Sequence, residues 1–568
     1  MRVHIQTPRR EDGERPADPP ARSAGPTDLA RIVDACTAAA CELAVPPVPS
    51  PWLAPMADVL VLDDLPSSSD WLIPLGLRDL PAQQSRASWG LDLQHGGHLL
   101  VAGGSRSGRT TVLRTLAGSV ANRYGADEVH LFGVDGASGA LLTLAGLPHT
   151  GAVVARDELT RADRLLTRLL GEVIRRQELF GRCAITSMAE QRGLSSSGPP
   201  LPYLLVLLDS WEGMARAFEA LDHGRPVETM LRLVREGSSV GLRMVITGDR
   251  TVLGARVGSL IADRLVLRLA DRGDYAMAGV PARLVPEHLP PGRGLLPDTL
   301  VETQVALLGP DPSGQGQVAA LATIAERAQA RATCVPRERR ALHVAALPRA
   351  VTSGSLAAAA ERTASGLLWA LVGVGGDDGD CLGVDLAADG PAFVVAGPAG
   401  SGRSTALLTM GQSLLARGCT LMVVTPRRSP VRELVGEPGV LGAFGSDDGP
   451  AVRDALAARA GPLVVLVDDA ESLHAGGTED ELVGWLRSGA TPVRALLLAG
   501  CCAELAGQFR GLGTEARKNR LGLVLAPGGG IDGDLLGTRV PRGDELRPGR
   551  GVFVRRGTLA TVQVALPR

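Results

Sequence analysis

Two glycine-rich segments of the sequence have the residue types and spacing of a phosphate-binding loop. Each has a glycine, four variable residues, a second glycine, an arginine and a hydroxyl residue, and each follows a short apolar run. Glycines let the backbone turn so that successive N–H groups point at a phosphate, with the positive end of the following helix behind them. The basic residue then reaches the β- and γ-phosphates, and the hydroxyl ligates Mg²⁺. The expected ligands are therefore ATP and Mg²⁺.

The two loops follow the predicted strands Leu99–Ala102 and Phe393–Ala396. The nucleotide-binding residues predicted in the first loop are Gly103, Gly104, Ser105, Arg106, Ser107, Gly108, Arg109, Thr110 and Thr111. Those predicted in the second loop are Gly397, Pro398, Ala399, Gly400, Ser401, Gly402, Arg403, Ser404 and Thr405. Helices are predicted to follow over 112–124 and 406–417. A single match to this pattern is weak in a glycine-rich chain, but strand, loop, hydroxyl and helix recur here in one repeated frame.

A buried strand ending in an acidic residue is expected beside each loop. The predicted strands Tyr203–Asp209 and Leu463–Asp468 are continuous apolar runs that end in Asp209 and Asp468, and such runs are typical of strands buried on both faces of a parallel sheet. Ligands collect at the carboxyl ends of the strands in such sheets. The predicted Mg²⁺ ligands are therefore Thr110 and Asp209 in the first site, and Ser404 and Asp468 in the second. A strand-end aspartate can also serve only as a helix cap.

Both sites depart from the pattern of an active ATPase. The position after the strand-end aspartate, where a glutamate would polarise the attacking water, holds Ser210 in one site and Asp469 in the other. Glu212 and Glu471 lie nearby in sequence, but the sequence does not show that they can substitute. Arginine replaces the usual lysine of the loop, which keeps the charge but changes the shape. The candidate catalytic residues are Arg109, Asp209, Arg403, Asp468 and Asp469, and we expect nucleotide binding with weak hydrolysis.

Two more strands per site carry polar residues of interest. The strand Leu242–Thr247 places Thr247 as a sensor of the γ-phosphate, and the corresponding position of the second site is Ala499. Arg264 and Arg520 begin the next predicted strand in each half of the chain. They are candidate arginine fingers that reach a neighbouring subunit's nucleotide. A surface arginine at a strand start is the alternative.

The chain contains an internal repeat, because similar segments recur in the same order in its two halves. Trp89–Leu93 corresponds to Leu382–Leu386, and the P-G-R-G turn Pro291–Gly294 corresponds to Pro548–Gly551. We predict an α/β fold of two tandem RecA-like P-loop domains, each a mostly parallel central sheet flanked by helices. The predicted boundaries are a disordered tail with a short helix capped by Asp28 (1–54), copy one (55–310), a linker with an alanine-rich helix (311–339) and copy two (340–568).

Composition limits the possible functions. The formal net charge of −2 and the 3% aromatic content argue against strong sequence-independent binding of nucleic acid. The eight cysteines lack metal-binding spacing, and no apolar run is long enough for a membrane span. A cytoplasmic protein is expected, with any attachment to the inner face of the cell membrane made through partners. Lys518 is the single lysine, which indicates a GC-rich, actinobacterium-like coding sequence. Compositional drift is therefore an alternative reason for arginine in place of lysine in the two loops.

The sequence resembles the EccC ATPases of type VII secretion systems, a branch of the FtsK/SpoIIIE family. The resemblance rests on the loops, the paired P-G-R-G turns, and the segments Pro74–Pro81, Leu147–Val153 and Trp369–Asp378. It implies a tandem ATPase with degenerate modules, assembly into a hexameric ring and a membrane-anchored ATPase partner. It also implies small helical export substrates, recognised through C-terminal signals that we assign to copy two. The chain resembles the soluble half of a split EccC or the C-terminal part of a longer protein.

Two other functions are compatible with the same motifs. One is a DNA translocase of the FtsK/SpoIIIE kind, which the net charge of −2 disfavours. The other is a scaffold in which both sites hold ATP and neither hydrolyses it. The replaced residues at the loop arginines and after the strand-end aspartates favour this second alternative.

Overall fold

A computed structural model describes residues 26–46, 53–66, 69–194, 199–458, 461–473, 477–488, 494–541 and 547–567. The chain divides into two units, residues 1–55 with 82–84, and residues 56–81 with 85–568. The described part of the first unit contains helix α1 (Asp28–Glu42). Its cap is Thr27, whose hydroxyl accepts a hydrogen bond from the Ala30 N–H, so the predicted cap at Asp28 is one residue too late. The tail predicted to be disordered lies, through residue 25, outside the described residues.

The second unit contains two ten-stranded sheets. The first consists of β1 (Leu72–Leu80), β2 (Ser85–Asp92), β3 (Leu99–Ala102), β4 (Val129–Asp135), β5 (Thr150–Val154), β6 (Tyr203–Asp209), β7 (Leu242–Gly248), β8 (Asp263–Leu267), β9 (Arg293–Leu296) and β10 (Val301–Val305). The second consists of β11 (Trp369–Gly375), β12 (Asp380–Asp385), β13 (Ala392–Ala396), β14 (Thr420–Val424), β15 (Val440–Phe444), β16 (Leu463–Val467), β17 (Arg494–Gly500), β18 (Leu521–Leu525), β19 (Arg550–Arg555) and β20 (Thr558–Val564).

Helices cover both sheets. Those of the first half are α2 (Arg109–Arg123), α3 (Leu159–Cys183), α4 (Met188–Gly193), α5 (Trp211–Ala220), α6 (Arg225–Glu236), α7 (Arg250–Gly254), α8 (Arg256–Ser259) and α9 (Gly314–Ala332). Those of the second half are α10 (Ala357–Thr363), α11 (Arg403–Leu415), α12 (Gly449–Ala457), α13 (Gly477–Arg487), α14 (Cys502–Gly507), α15 (Leu512–Arg517) and α16 (Gly530–Asp534). Among these helices, none has the length and apolar character that crossing a membrane requires.

The two sheets have the same topology. The strand order is β2-β1-β10-β9-β8-β3-β7-β6-β4-β5 in the first and β12-β11-β20-β19-β18-β13-β17-β16-β14-β15 in the second. The six strands from β8 to β5 are parallel, and the four from β9 to β2 are joined by antiparallel pairings. The predicted α/β class, with two mostly parallel sheets flanked by helices, is confirmed.

Burial explains which strands lie at the centre. Every residue of β3, β6 and β7 is buried, as their uninterrupted apolar sequences require when helices cover both faces of a parallel sheet. Because these three strands are parallel neighbours, their carboxyl ends meet at one edge. That edge holds the first glycine-rich loop, Asp209 and Thr247 together. The corresponding edge of the second sheet holds the second loop and Asp468.

Helix α3 of the first half contacts the first hairpin of the second sheet. The Arg164 Nε donates to the Asp377 carboxylate (3.2 Å), and its Nη2 donates to the Gly376 carbonyl (2.8 Å). Arg168 also pairs with Asp377 at 3.1 Å. The two sheets are therefore joined by ion pairs in addition to the linker.

Candidate nucleotide-binding sites

A left-handed glycine ends each loop and begins the helix that follows. Gly108 has φ 106° before α2, and Gly402 has φ 99° before α11. L-residues rarely adopt this conformation. A Cβ atom at Gly108 would lie 2.9 Å from the Gly292 nitrogen, and one at Gly402 would lie 3.1 Å from the Gly549 nitrogen. Glycine is therefore required at both positions, because of the left-handed backbone conformation and because a Cβ atom would lie too close to the facing turn.

The P-G-R-G turns brace the loops from the other side. The Gly292 N–H donates to the Ser107 carbonyl at 2.8 Å, and the Gly549 N–H donates to the Ser401 carbonyl at 2.7 Å. The sequence showed that these turns recur, but their partners are distant in sequence and were not predicted. Each P-G-R-G turn therefore helps to hold its phosphate-binding loop in place.

Copy one contains an assembled carboxylate–hydroxyl cluster at the predicted Mg²⁺ position. The Thr110 hydroxyl donates to Asp209 Oδ2 at 2.7 Å, and the Thr247 hydroxyl donates to Asp209 Oδ1 at 2.6 Å. The Thr247 oxygen also accepts the Ser210 N–H at 3.0 Å. Burial raises the pKa of the Asp209 carboxyl, although both hydroxyls favour its ionised form. Thr110, Asp209 and Thr247, predicted separately from sequence, are thus brought together.

Copy two holds its aspartate differently. Asp468 Oδ2 accepts the Ser429 hydroxyl at 2.6 Å, and Asp468 Oδ1 accepts the Asp469 N–H at 3.1 Å. Within the described ranges, Ser404 makes no side-chain hydrogen bond to Asp468, and the residue at the Thr247 position is Ala499. Ser429 lies beyond β14, where neither motif nor spacing identified it. The metal position of copy two is therefore less preformed than that of copy one.

The loop arginine of copy one is paired with a glutamate. Arg109 Nη1 donates to Glu212 Oε1 at 2.7 Å, and Glu212 Oε2 accepts the Asp249 N–H at 3.1 Å. Both charged side chains are less than one third exposed. Glu212 thus ties the start of α2 to the residue that follows β7.

The loop arginine of copy two has the corresponding partner. Arg403 lies 3.3 Å from Asp469 Oδ1 and 3.5 Å from Glu471 Oε1, and it donates to the Gly397 carbonyl at 3.3 Å. Glu471 Oε2 accepts the Cys501 N–H at 3.2 Å. Burial raises the pKa of Asp469, and the neighbouring carboxylates of Asp468 and Glu471 add to the effect. In both copies the glutamate lies three residues beyond the strand-end aspartate.

The residue after the strand-end aspartate is strained in both copies. Ser210 has φ 56° and Asp469 has φ 52°, which is left-handed backbone for residues with a Cβ atom. Such a conformation costs roughly 1 kcal/mol and persists where surrounding structure enforces it. Its recurrence at this position marks the junction as part of the site.

The residues present fit a nucleotide with Mg²⁺. The hydroxyls of Ser107 and Ser401 are buried in the loops with no partner among the described residues. Each loop precedes a helix of more than eight residues, whose free N–H groups favour a phosphate. Hydroxyl and carboxylate oxygens of Thr110 and Asp209 are the ligand types that Mg²⁺ prefers.

The two candidate arginine fingers lie at the amino ends of their strands, away from the loop of their own copy. Arg264 is registered with Leu100 in β3 and donates to the carbonyls of Ile261 (3.2 Å) and Gly258 (3.1 Å). Arg520 precedes β18 with φ 49°. A role at the nucleotide of a neighbouring subunit stays a prediction.

Parts of this chain are similar in sequence to known proteins. Residues 69–289 match the FtsK/SpoIIIE family. The ESX-4 secretion system protein EccC4 of Mycobacterium tuberculosis is 31% identical over 280 residues, which are 48% of this chain and 22% of that protein. The ESX secretion system protein EccC of Thermomonospora curvata is 32% identical over 230 residues, which are 39% of this chain and 17% of that protein. The chain thus spans about a fifth of the length of these curated relatives.

Solved structures share the tandem fold. EssC (ATPases 2 and 3) from Geobacillus thermodenitrificans has a TM-score of 0.65 at 18% identity, covering 91% of this chain and 100% of that chain. Thermomonospora curvata EccC (ATPases 2 and 3), in complex with a signal sequence peptide, has a TM-score of 0.60 at 24% identity with the same coverage. At these identities the likeness shows the fold. The resemblance to EccC-type ATPases of the FtsK/SpoIIIE family, predicted from the sequence, is confirmed by these matches.

Proposed function

We propose that this chain is a tandem ATP-binding ATPase subunit of a type VII protein secretion machine. The single observation that carries the proposal is the cluster in copy one, where Thr110, Asp209 and Thr247 are joined at 2.6 to 2.7 Å beside a braced phosphate loop. Mg²⁺ bound there would neutralise charge on the phosphates. The side chains of this chain hold and orient the nucleotide.

We further propose that hydrolysis is weak and serves regulation. The position that would polarise the attacking water is Ser210 in copy one, which carries no carboxylate. In copy two, Asp469 occupies that position and is engaged with Arg403. Both sites are thus better suited to holding ATP than to rapid turnover, which also supports the alternative of a non-hydrolysing scaffold.

Substrate binding is proposed for copy two because a groove there is open while its equivalent in copy one is filled. In copy one, helix α9 packs along α2: a Cβ atom at Gly118 of α2 would lie 3.4 Å from Ile324 of α9, and 2.3 Å from Leu308 in the segment that precedes α9. Arg331 of α9 donates to the Asn122 carbonyl at 3.1 Å. The chain thus occupies its own groove with a helix.

The corresponding face of copy two is a groove of about 620 Å³ along α11. Among the described residues, no helix packs along α11 as α9 packs along α2. The groove is lined by apolar residues, among them Trp369, Leu371 and Leu434, and by polar and charged residues, among them Gln412, Arg417, Glu433 and Glu437. A helical segment with an apolar face fits this chemistry. We propose that an export substrate places such a segment here.

The remaining parts of the proposal rest on the family. The chain would act in the cytoplasm beside a membrane-anchored secretion ATPase subunit, within a hexameric ring. A DNA translocase is the less favoured alternative.

Nucleotide binding and turnover, measured on the same purified protein with and without Mg²⁺, test the proposal. Gly108→Pro and Gly402→Pro each impose a φ near −65° where the loop needs about 100°, so each should disable one site. ATP binding with slow turnover, reduced by one or both substitutions, is the expected result. The absence of Mg²⁺-dependent ATP binding in the folded protein would refute the proposal.

The groove is tested separately. Ala416→Trp fills it with an indole, and Ala457→Trp, at an exposed position of α12, is the matched control. A labelled peptide carrying the C-terminal helix of a cognate export protein should bind the control and not the filled variant. Equal binding to both would place the substrate elsewhere.

A further inference from the structure

We propose that Glu212 and Glu471 are positioning residues that act as counter-ions of the loop arginines, and that nucleotide phosphates must displace them. The inference rests on the proposed nucleotide binding and adds to it a residue that sets the affinity of each site. The glycine-rich loop pattern and the strand-end aspartate that define each site do not include this glutamate.

The contact in copy one has the geometry of a strong pair. Arg109 Nη1 lies 2.7 Å from Glu212 Oε1, at the short end of charge-assisted hydrogen bonds. The second oxygen of Glu212 is fixed by the Asp249 N–H at 3.1 Å. The carboxylate therefore has both oxygens engaged, and it faces the guanidinium that the loop pattern assigns to the phosphates.

Copy two repeats the arrangement with different surrounding residues. Glu471 Oε1 lies 3.5 Å from Arg403 Nη1, and its other oxygen accepts the Cys501 N–H. Asp249 and Cys501 are equivalent, because each directly follows the strand beside the phosphate loop. In both copies, although the neighbouring residues differ, a glutamate therefore connects the loop arginine to the residue that follows the strand beside the loop. A chance surface pair would not be expected twice at the same positions.

The pairing gives the arginine-for-lysine replacement a physical reason. A guanidinium is planar and offers five N–H donors, so it can be oriented by a carboxylate while empty and turn its donors to phosphates when they arrive. Replacing the carboxylate of Glu212 should therefore free the arginine for the phosphates, and this tightens binding.

The test compares Mg²⁺-ATP affinity, using a fluorescent ATP analogue, in Glu212→Gln and in the control Glu219→Gln. Glu219 is exposed on the same helix, α5, so the control makes the same charge change away from the loop. Both are made in the Gly402→Pro background, so that copy one is read alone. We expect Glu212→Gln to bind about fivefold tighter, the effect of a partly buried pair worth roughly 1 kcal/mol. The control should match its parent.

A second background separates positioning from a general structural role. In Arg109→Gln, Glu212→Gln should leave affinity unchanged, because its effect acts through the arginine. An effect that persists there, or a Glu212→Gln variant that binds no tighter than the control, overturns the inference. If the Gly402→Pro background fails to fold, the comparison is made for copy two in the Gly108→Pro background. Asp469→Asn, which removes the other carboxylate paired with Arg403, is then the parent, and adding Glu471→Gln should tighten binding in the same way. A folded wild-type protein that does not bind Mg²⁺-ATP refutes the proposed function itself, which distinguishes the two failures.

Discussion

Replacing Thr247 by valine tests whether its hydroxyl organises the first site. Thr247 is fully buried, donates to Asp209 at 2.6 Å and accepts the Ser210 N–H at 3.0 Å. Valine has nearly the same volume, so the change removes both hydrogen bonds without leaving a cavity. A hydrogen bond to a charged group contributes about 1.5–3 kcal/mol, and an unpaired buried N–H costs about 1–3 kcal/mol. The expected destabilisation of copy one is therefore about 4 kcal/mol.

The assay is thermal unfolding by calorimetry. For a unit of this size, each kcal/mol shifts the midpoint by about 2–4 °C, so Thr247→Val should lower the copy-one transition by about 10 °C. Thr247→Ser keeps the hydroxyl, loses one methyl group, and should lower the midpoint by only a few degrees, about 1 kcal/mol. If the valine variant is as stable as the serine variant, the hydroxyl does not hold Asp209 in the way the distances indicate.

Three further results are expected. Gly171→Ala, at an exposed interior position of α3 with open space around it, should stabilise the protein by about 0.5–1 kcal/mol in urea unfolding, whereas Gly118→Ala should destabilise it because the added methyl group would lie 2.3 Å from the Leu308 side chain. Burial lowers the pKa of His98 and of His130 to about 4, so the unfolded chain binds protons below about pH 6.5 that the folded chain does not. Copy one should therefore lose stability as the pH falls from about 6.5 toward 4, and a flat midpoint over that interval would contradict the burial of these rings. Ser429→Ala removes the hydroxyl that engages Asp468, and should tighten Mg²⁺-dependent nucleotide binding at copy two by a few-fold, measured by titration with Gly108→Pro present. Unchanged or weaker binding would mean that Ser429 does not compete with the metal.

The sequence predicted best those elements whose own residues dictate them. Strand β6 has the predicted bounds Tyr203–Asp209. Its uninterrupted apolar run suits a strand buried on both faces, and the run ends at the charged Asp209. The α2 and α11 helices begin three residues earlier than predicted, at the loop arginines themselves. Because each loop itself makes the turn from strand to helix, the helix needs no separate N-cap motif.

The missed features are tertiary. The pairing of Arg109 with Glu212 joins α2 to α5, and no local periodicity connects the two residues. A fixed spacing of three residues from aspartate to glutamate in both copies was the available indication. Ser429 was missed because its approach to Asp468 depends on how β14 lies beside β16. Local sequence predicts the elements, while these contacts depend on how the elements pack.

The turn that braces each phosphate loop has a consequence for how the protein is made. Ser107 leaves the ribosome long before Gly292, and Ser401 long before Gly549, yet each pair shares a backbone hydrogen bond in the finished fold. Contacts of such long sequence separation form late, because the intervening chain must first be ordered. Each nucleotide site therefore matures only when nearly all of its copy has been translated. A nascent chain would complete its six parallel strands before it can retain ATP, so ATP capture reports that synthesis and folding of a copy are complete.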